Sequence, residues 1–311
     1  MSLDQTTQPR DRYIDIDGVR VRYVLDAGPG QGPTFLLVHG LGGSLENWGD
    51  VIPLLAQRGR VVALDLGGHG LTQVEPRKAV VSANLTLLQR FAHVVCDGPV
   101  VVVGNSMGGL LAGQLAALDK RLVAGAVLVD PVIPLSPGAL PEPLVAVGFG
   151  IYATPRLGPW FMADRAAKVP VEVMARQVLS LVASDIHRVS DRLLEAHIES
   201  ARRRRELVPD GDAAFLSAAK SVLLATARRG DYARRMDTIL APVLLLHGDR
   251  DRLVSVKAAR SLAARHPHWR YVEGAGIGHT PMLDWPDWTS EQILAWIDAT
   301  PSLSRLTPGV S

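Results

Sequence analysis

The chain has 311 residues, 47% of them hydrophobic, with 33 basic against 31 acidic side chains and a formal net charge of +2. That size allows one large domain with a substantial core, or one domain carrying an insertion. The charge balance gives no ground for a nucleic-acid partner, the single Cys96 excludes an intramolecular disulfide and suits a reducing compartment, and no apolar run reaches the roughly 18 residues of a membrane-spanning helix.

In chain order, Met1 to Arg10 is polar and lacks the apolar stretch of a signal peptide. Together with the cysteine usage this leads to the expectation of a soluble, cytoplasmic protein, monomeric or homodimeric, without stable membrane insertion. Tyr13 to Leu25 alternates apolar and polar residues around Asp17-Gly18, a hairpin signal. Apolar strand candidates follow at Thr34–Val38, Val61–Leu64, Val100–Val103, Ala126–Val129, Val243–Leu246 and Trp269–Val272, with helical material between them. Strands alternating with helices predict an α/β fold with a mostly parallel, doubly wound sheet. Ligands bind such sheets at the carboxyl ends of the strands, and His39, Asp65, Ser106, Asp130, Asp249, Asp251 and His279 all fall there.

The alternation breaks between Val132 and Leu240. Four prolines (Pro131, Pro134, Pro137, Pro141) open this stretch, and helical patterns such as Val171 to Val182 and Ala213 to Arg229 continue it. It is read as an inserted helical cap over residues 134–237, closing over the catalytic edge of a core made of residues 1–133 and 238–311. Arg202-Arg203-Arg204-Arg205 reads as a solvated helix face. The cap's Phe149, Tyr152, Trp160 and Phe161 are candidates for an apolar substrate pocket, as are Gly40 and Asn105 below it.

Gly104-Asn105-Ser106-Met107-Gly108 stands between a β-branched run and a helical run, the context a G-x-S-x-G nucleophile elbow requires. Small flanking residues permit the sharp turn, and the Ser hydroxyl stands at a helix N-terminus where amide N–H groups can stabilise an oxyanion. A serine nucleophile needs a base, and the base needs a carboxylate to hold its tautomer. His279, in the glycine-rich Gly274 to Pro281 loop, is the candidate base. Asp251 is the favoured carboxylate, because it lies one turn into the loop after Gly248; Asp130 and Asp249 are the alternatives. Met107 and Leu41 are candidate oxyanion N–H donors, Leu41 because the glycines around it let backbone approach a substrate closely. His39 reads as structural, and so does Cys96. No metal cluster or phosphate-cradling loop is evident, so no cofactor is expected and the partner is a small-molecule substrate.

His39-Gly40, Asp65-x-x-Gly68-x-Gly70, Gly104-x-Ser106-x-Gly108, Gly248-x-x-Asp251 and Gly278-His279 occur in the order of the α/β-hydrolase superfamily, which the chain resembles over residues 39 to 279. The resemblance implies nucleophile Ser106, acid Asp251, base His279, oxyanion donors at Leu41 and Met107, and an inserted cap. The elbow is similar to that of the meta-cleavage-product C–C hydrolases, which often carry Trp after the catalytic His where this chain has Thr280. Epoxide hydrolases and haloalkane dehalogenases of the superfamily use Asp where this chain has Ser106. A carboxylic-ester hydrolase is the favoured expectation. A C–C hydrolase, a cofactor-free perhydrolase or haloperoxidase, and a ligand receptor with slow residual turnover are the alternatives.

Overall fold

The structure is a computed structural model that describes residues 10–134 and 142–306. The Met1 to Arg10 stretch, apart from Arg10, and Pro137 and Pro141 lie outside the described residues. β1 (Arg12–Ile16) and β2 (Val19–Asp26) form the antiparallel hairpin. Asp17 (φ 51°) and Gly18 (φ 80°) both take positive φ, the geometry that matches a two-residue turn to the strand twist. β3 (Thr34–Val38), β4 (Arg60–Leu64), β5 (Val100–Asn105), β6 (Val123–Val129), β7 (Val243–Gly248) and β8 (Arg270–Gly274) follow. The sheet order is β1-β2-β4-β3-β5-β6-β7-β8, parallel from β4 to β8.

The strands alternate their side chains between two apolar layers. Leu36, Val38, Val62, Val100 and Val102 pack with Leu88, Phe91 and Leu111 on one face. Phe35, Leu37, Val61, Val101 and Val103 pack with Trp48, Leu55, Ile293 and Ile297 on the other. Burial on both faces is why these strands read as continuous apolar runs. From β3 the chain passes to β4 on one side and then returns to β5 on the other, so the loops leaving β3 and β5 diverge at a switch point. That is where a crevice opens in such sheets.

Among the described residues, the chain between β6 and β7 forms no strand. It forms the helices Pro143–Ala153, Leu157–Lys168, Val171–Val182, Asp191–Leu207, Gly211–Ala227 and Arg229–Met236. Leu179, Val189, Leu193, Leu194 and Ile198 make a small core of their own, joined by Leu283. These helices rest on loops at the carboxyl ends of the strands. Ser190 Oγ bonds Asp50 Oδ2 at 2.8 Å, Ser221 Oγ accepts the Val81 N–H at 3.0 Å, and Asp284 Oδ2 accepts the Ser184 N–H at 2.7 Å.

Arg204 corrects the reading of the four-arginine run. Arg202 and Arg203 pair with Glu172 and Asp11 near the surface, but Arg204 points inward. Its guanidinium donates to the carbonyls of Gly70, Gly68 and Gly211 at 2.9, 2.8 and 2.9 Å, fastening this region to the loop after β4. The run is a mixture of faces because a helix turns 100° per residue.

Candidate active site

The loop after β4 explains its own motif. Asp65 is fully buried and accepts the N–H groups of Leu45 and Leu71, both at 2.8 Å. A Cβ at Gly70 would stand 2.1 Å from that carboxyl, so glycine is obligatory there. His39 is a second support. It sits with Nδ1 2.7 Å from the Gly40 carbonyl, while Nε2 accepts the Leu66 N–H at 3.0 Å. Burial pushes its pKa down to about 4, so it is a neutral structural imidazole.

Ser106 follows β5 with φ 56° and ψ −116°, a conformation that costs on the order of 1–3 kcal/mol and persists only where the surroundings enforce it. They do so through close contacts. A Cβ on Gly104 would fall 2.1 Å from the Gly108 carbonyl oxygen, and one on Gly108 would fall 2.2 Å from that of Val38. Ser106 then heads the helix Met107–Leu118. Gly40, after β3, packs directly on it: a Cβ there would meet the Ser106 Cβ at 3.0 Å. Among the described residues, no protein acceptor takes the N–H of Leu41 or of Met107. Both flank Ser106, one through Gly40 and one by direct succession.

His279 is nearly buried, and its Nδ1 lies 2.7 Å from Asp251 Oδ2. The other Asp251 oxygen accepts the Leu253 and Val254 N–H groups at 2.7 and 3.0 Å. Burial would raise the Asp251 pKa, but His279, His247 and the backbone donor outweigh it and hold the carboxyl below its usual range. The three carboxylate candidates thus separate by contact. Asp249 accepts the Gly276 N–H at 2.7 Å and staples the histidine loop. Asp130 accepts the Gly248 N–H at 2.9 Å. Asp251 is the one on the imidazole. The loops interlock without room for side chains, since a Cβ on Gly248 would meet the Ile277 carbonyl oxygen at 2.3 Å.

Donor atoms of Asp130, Asp251 and His279 lie within 4.8 Å of one another. As a cation cage the group is poor. The His279 nitrogen and both Asp251 oxygens are already spent on each other and on amide N–H groups.

Two pocket candidates have distinct surroundings. Asn105 is buried, and its Nδ2 donates to the Val129 carbonyl (3.2 Å) and the His279 carbonyl (2.9 Å), bracing the residue beside Ser106 against the histidine. Trp160 is 61% exposed and stays outside the ring cluster that its neighbours form. In that cluster Tyr152 contacts Phe149, Phe161 and Phe215 edge-on, with centroids 6.4, 6.1 and 5.2 Å away. Phe215 was not anticipated. Its ring lies against Gly42 (φ 72°) in the loop after β3, where a Cβ would meet it at 3.1 Å. Nothing local in the sequence marks it, since one Phe in a helix reads as packing. Asp284 was also missed; it holds Ser184, while the Val182 carbonyl accepts the His279 N–H at 2.9 Å. A surface hollow of about 540 Å³ between Pro242, Arg270 and Trp296 lies at the amino ends of β7 and β8, away from this site.

The chain belongs to the alpha/beta hydrolase fold family, whose pattern matches residues 33–286. It is 25% identical over 306 residues to the 2-hydroxy-6-oxo-6-(2'-aminophenyl)hexa-2,4-dienoic acid hydrolase of Metapseudomonas resinovorans, covering 95% of this chain and 93% of that one. It is 28% identical over 285 residues to the pimeloyl-[acyl-carrier protein] methyl ester esterase of Xanthomonas campestris, covering 88% and 98%. A 123-residue stretch is 41% identical to the dihydrolipoyllysine-residue acetyltransferase component of the acetoin cleaving system of Cupriavidus necator; it covers 39% of this chain and 32% of that one. The crystal structure of Cfl2 from Burkholderia cenocepacia shares the fold, with a TM-score of 0.77, 22% identity, and coverage of 94% and 97%. No helix among the described residues is long and apolar enough to cross a membrane.

Proposed function

We propose that this chain is a serine hydrolase that cleaves a small or medium, apolar carboxylic ester through an acyl-enzyme. In this reading His279, held in tautomer by Asp251, takes the Ser106 proton as the hydroxyl attacks the ester carbonyl. The Leu41 and Met107 N–H groups receive the oxyanion, the alcohol leaves with the proton from His279, and water releases the acid. The observation that carries the proposal is a serine held at positive φ at the head of a helix, beside a loop whose histidine is bonded at 2.7 Å to a buried carboxylate. The full-length esterase relative supports the ester class.

Residues 134–237 are proposed as the cap that selects the substrate, with Phe149, Tyr152, Phe161 and Phe215 as its inner wall. The chemistry needs no cofactor. Turnover of p-nitrophenyl esters of increasing acyl length tests the proposal: a saturable, chain-length-dependent rate supports it, and inertness to all of them counts against it. A C–C hydrolase is the second reading, favoured by the Metapseudomonas relative that spans nearly the whole chain. Preferential cleavage of a vinylogous 1,5-diketone acid over the esters would decide for it.

A further inference from the structure

Behind His279 lies a second, fully buried set of polar groups that the proposed reaction leaves unused. Asp130 directly follows β6 at φ 43°, and His247 lies near the end of β7; neither side chain has any exposure. His247 Nε2 is 3.0 Å from the Val254 carbonyl oxygen, which can only accept, so that nitrogen carries the ring proton. Its Nδ1 is then a bare lone pair, and it faces Asp130 Oδ1 at 3.5 Å. Asp130 Oδ1 already takes the Gly248 N–H, while Asp130 Oδ2 and His247 Nδ1 have no partner among the described residues. An oxygen of Asp251 stands within 4.8 Å of one of Asp130.

With Asp130 ionised, two buried anions would confront one another with no protein donor between them among the described residues. One proton removes the conflict. We propose that Asp130 is a positioning residue that works as a neutral carboxylic acid, its single hydroxyl proton the donor for Asp251, so that Asp251 is the one anion behind His279.

This inference rests on the proposed triad. The groups facing Asp130 are Asp251 from the loop after β7, His247 from β7, His279 from the loop after β8, and Asp284 from the short helix beyond it. Burial first, and the Asp251 charge second, push Asp130 well above the usual carboxylate range, whereas burial pushes His247 down. The arrangement also explains the strained backbone. Asp and Asn are the non-glycine residues that adopt positive φ most readily, and here that turn aims the carboxyl back at Asp251.

The test uses Asp130→Asn, which keeps an acceptor for Gly248 and a donor for the other side, and Asp130→Ala, which has neither. If Asp130 is neutral, the Asn variant retains kcat/KM within about threefold. It leaves the acid limb of the pH profile in place, while the Ala variant loses on the order of tenfold or more. If Asp130 is an anion, Asp130→Asn removes a negative charge close to His279 and moves that limb down by about one unit or more, which overturns the proposal. The resting protein supplies an independent readout. Its infrared spectrum at neutral pH should carry a protonated-carboxyl band that Asp130→Asn abolishes and Asp284→Asn does not. Should Asp130→Asn fail to fold, the band is read from Asp284→Asn at about pH 8, where Asp65, pushed up to about 6, is ionised: its absence overturns the proposal, and its presence supports it. The infrared band is read without turnover, so failure of the ester reading, seen as inertness to a fluorophosphonate, is distinguishable from failure of this one.

Discussion

Asp251→Asn should abolish most activity while leaving the fold intact, and the reason is geometric. Asp251 Oδ1 accepts two backbone N–H groups, from Leu253 at 2.7 Å and Val254 at 3.0 Å. An Asn must therefore place its carbonyl oxygen there and its NH2 group at the Oδ2 position, 2.7 Å from His279 Nδ1. That nitrogen then has to accept, the ring proton moves to Nε2, and the imidazole cannot take a proton from Ser106. Flipping the amide does not help, since it sets an NH2 against two buried N–H donors at about 1–3 kcal/mol for each lost partner. The same exchange in the serine-protease triad lowers kcat by about ten-thousand-fold, which corresponds to about 5 kcal/mol of transition-state stabilisation. Steady-state hydrolysis of a short p-nitrophenyl ester, alongside a thermal melt, measures it. A variant that melts like wild type and keeps kcat within tenfold would refute the assignment of Asp251 as the acid. So would Asp130→Asn proving the more damaging change.

Acid should destabilise the protein partly through His39, whose folded-state pKa of about 4 lies below its ordinary 6.5. Between those values the unfolded chain binds a proton that the folded one refuses, so stability is full above about 6.5 and falls as pH drops toward 4. The loss approaches about 3 kcal/mol for this group. Urea midpoints at pH 7 and 4.5 should fall further for wild type than for His39→Gln, and equal falls would refute the term. In the cap region, Phe215→Ala should change the relative kcat/KM across an acyl-length series, because its ring lies against Gly42. Trp160→Ala should leave that ratio alone, because the indole is 61% exposed. The reverse pattern would mean that the inner wall is misplaced.

Much of the scaffold was legible because it rests on short-range rules. Runs such as Val100–Val103 are apolar throughout because both sheet faces are covered, and Asp17-Gly18 carries its turn in its composition. Chain order also located the elbow serine, the histidine loop and three acidic residues at neighbouring strand ends. Loop position favoured Asp251 as the acid over Asp249 and Asp130, and the folded path of that loop aims Asp251 at the ring and Asp249 at Gly276. Side-chain direction hid the rest. Asn105 turns into the protein to brace His279, Arg204 turns inward from a run of surface arginines, and Trp160 turns out from an aromatic cluster. His247 was overlooked because it ends an apolar strand like any residue before a glycine. Its role depends on Asp251, four residues on in the loop that follows, and on Asp130, which a different strand end brings to it.

The central claim is that Ser106 is a nucleophile activated by His279. Incubation with a fluorophosphonate, followed by intact-mass and peptide mass spectrometry, tests it most directly. The account predicts one covalent adduct per chain, on Ser106, absent from Ser106→Ala and formed far more slowly in His279→Ala. An unlabelled wild-type protein, or an adduct on any other residue, would contradict it.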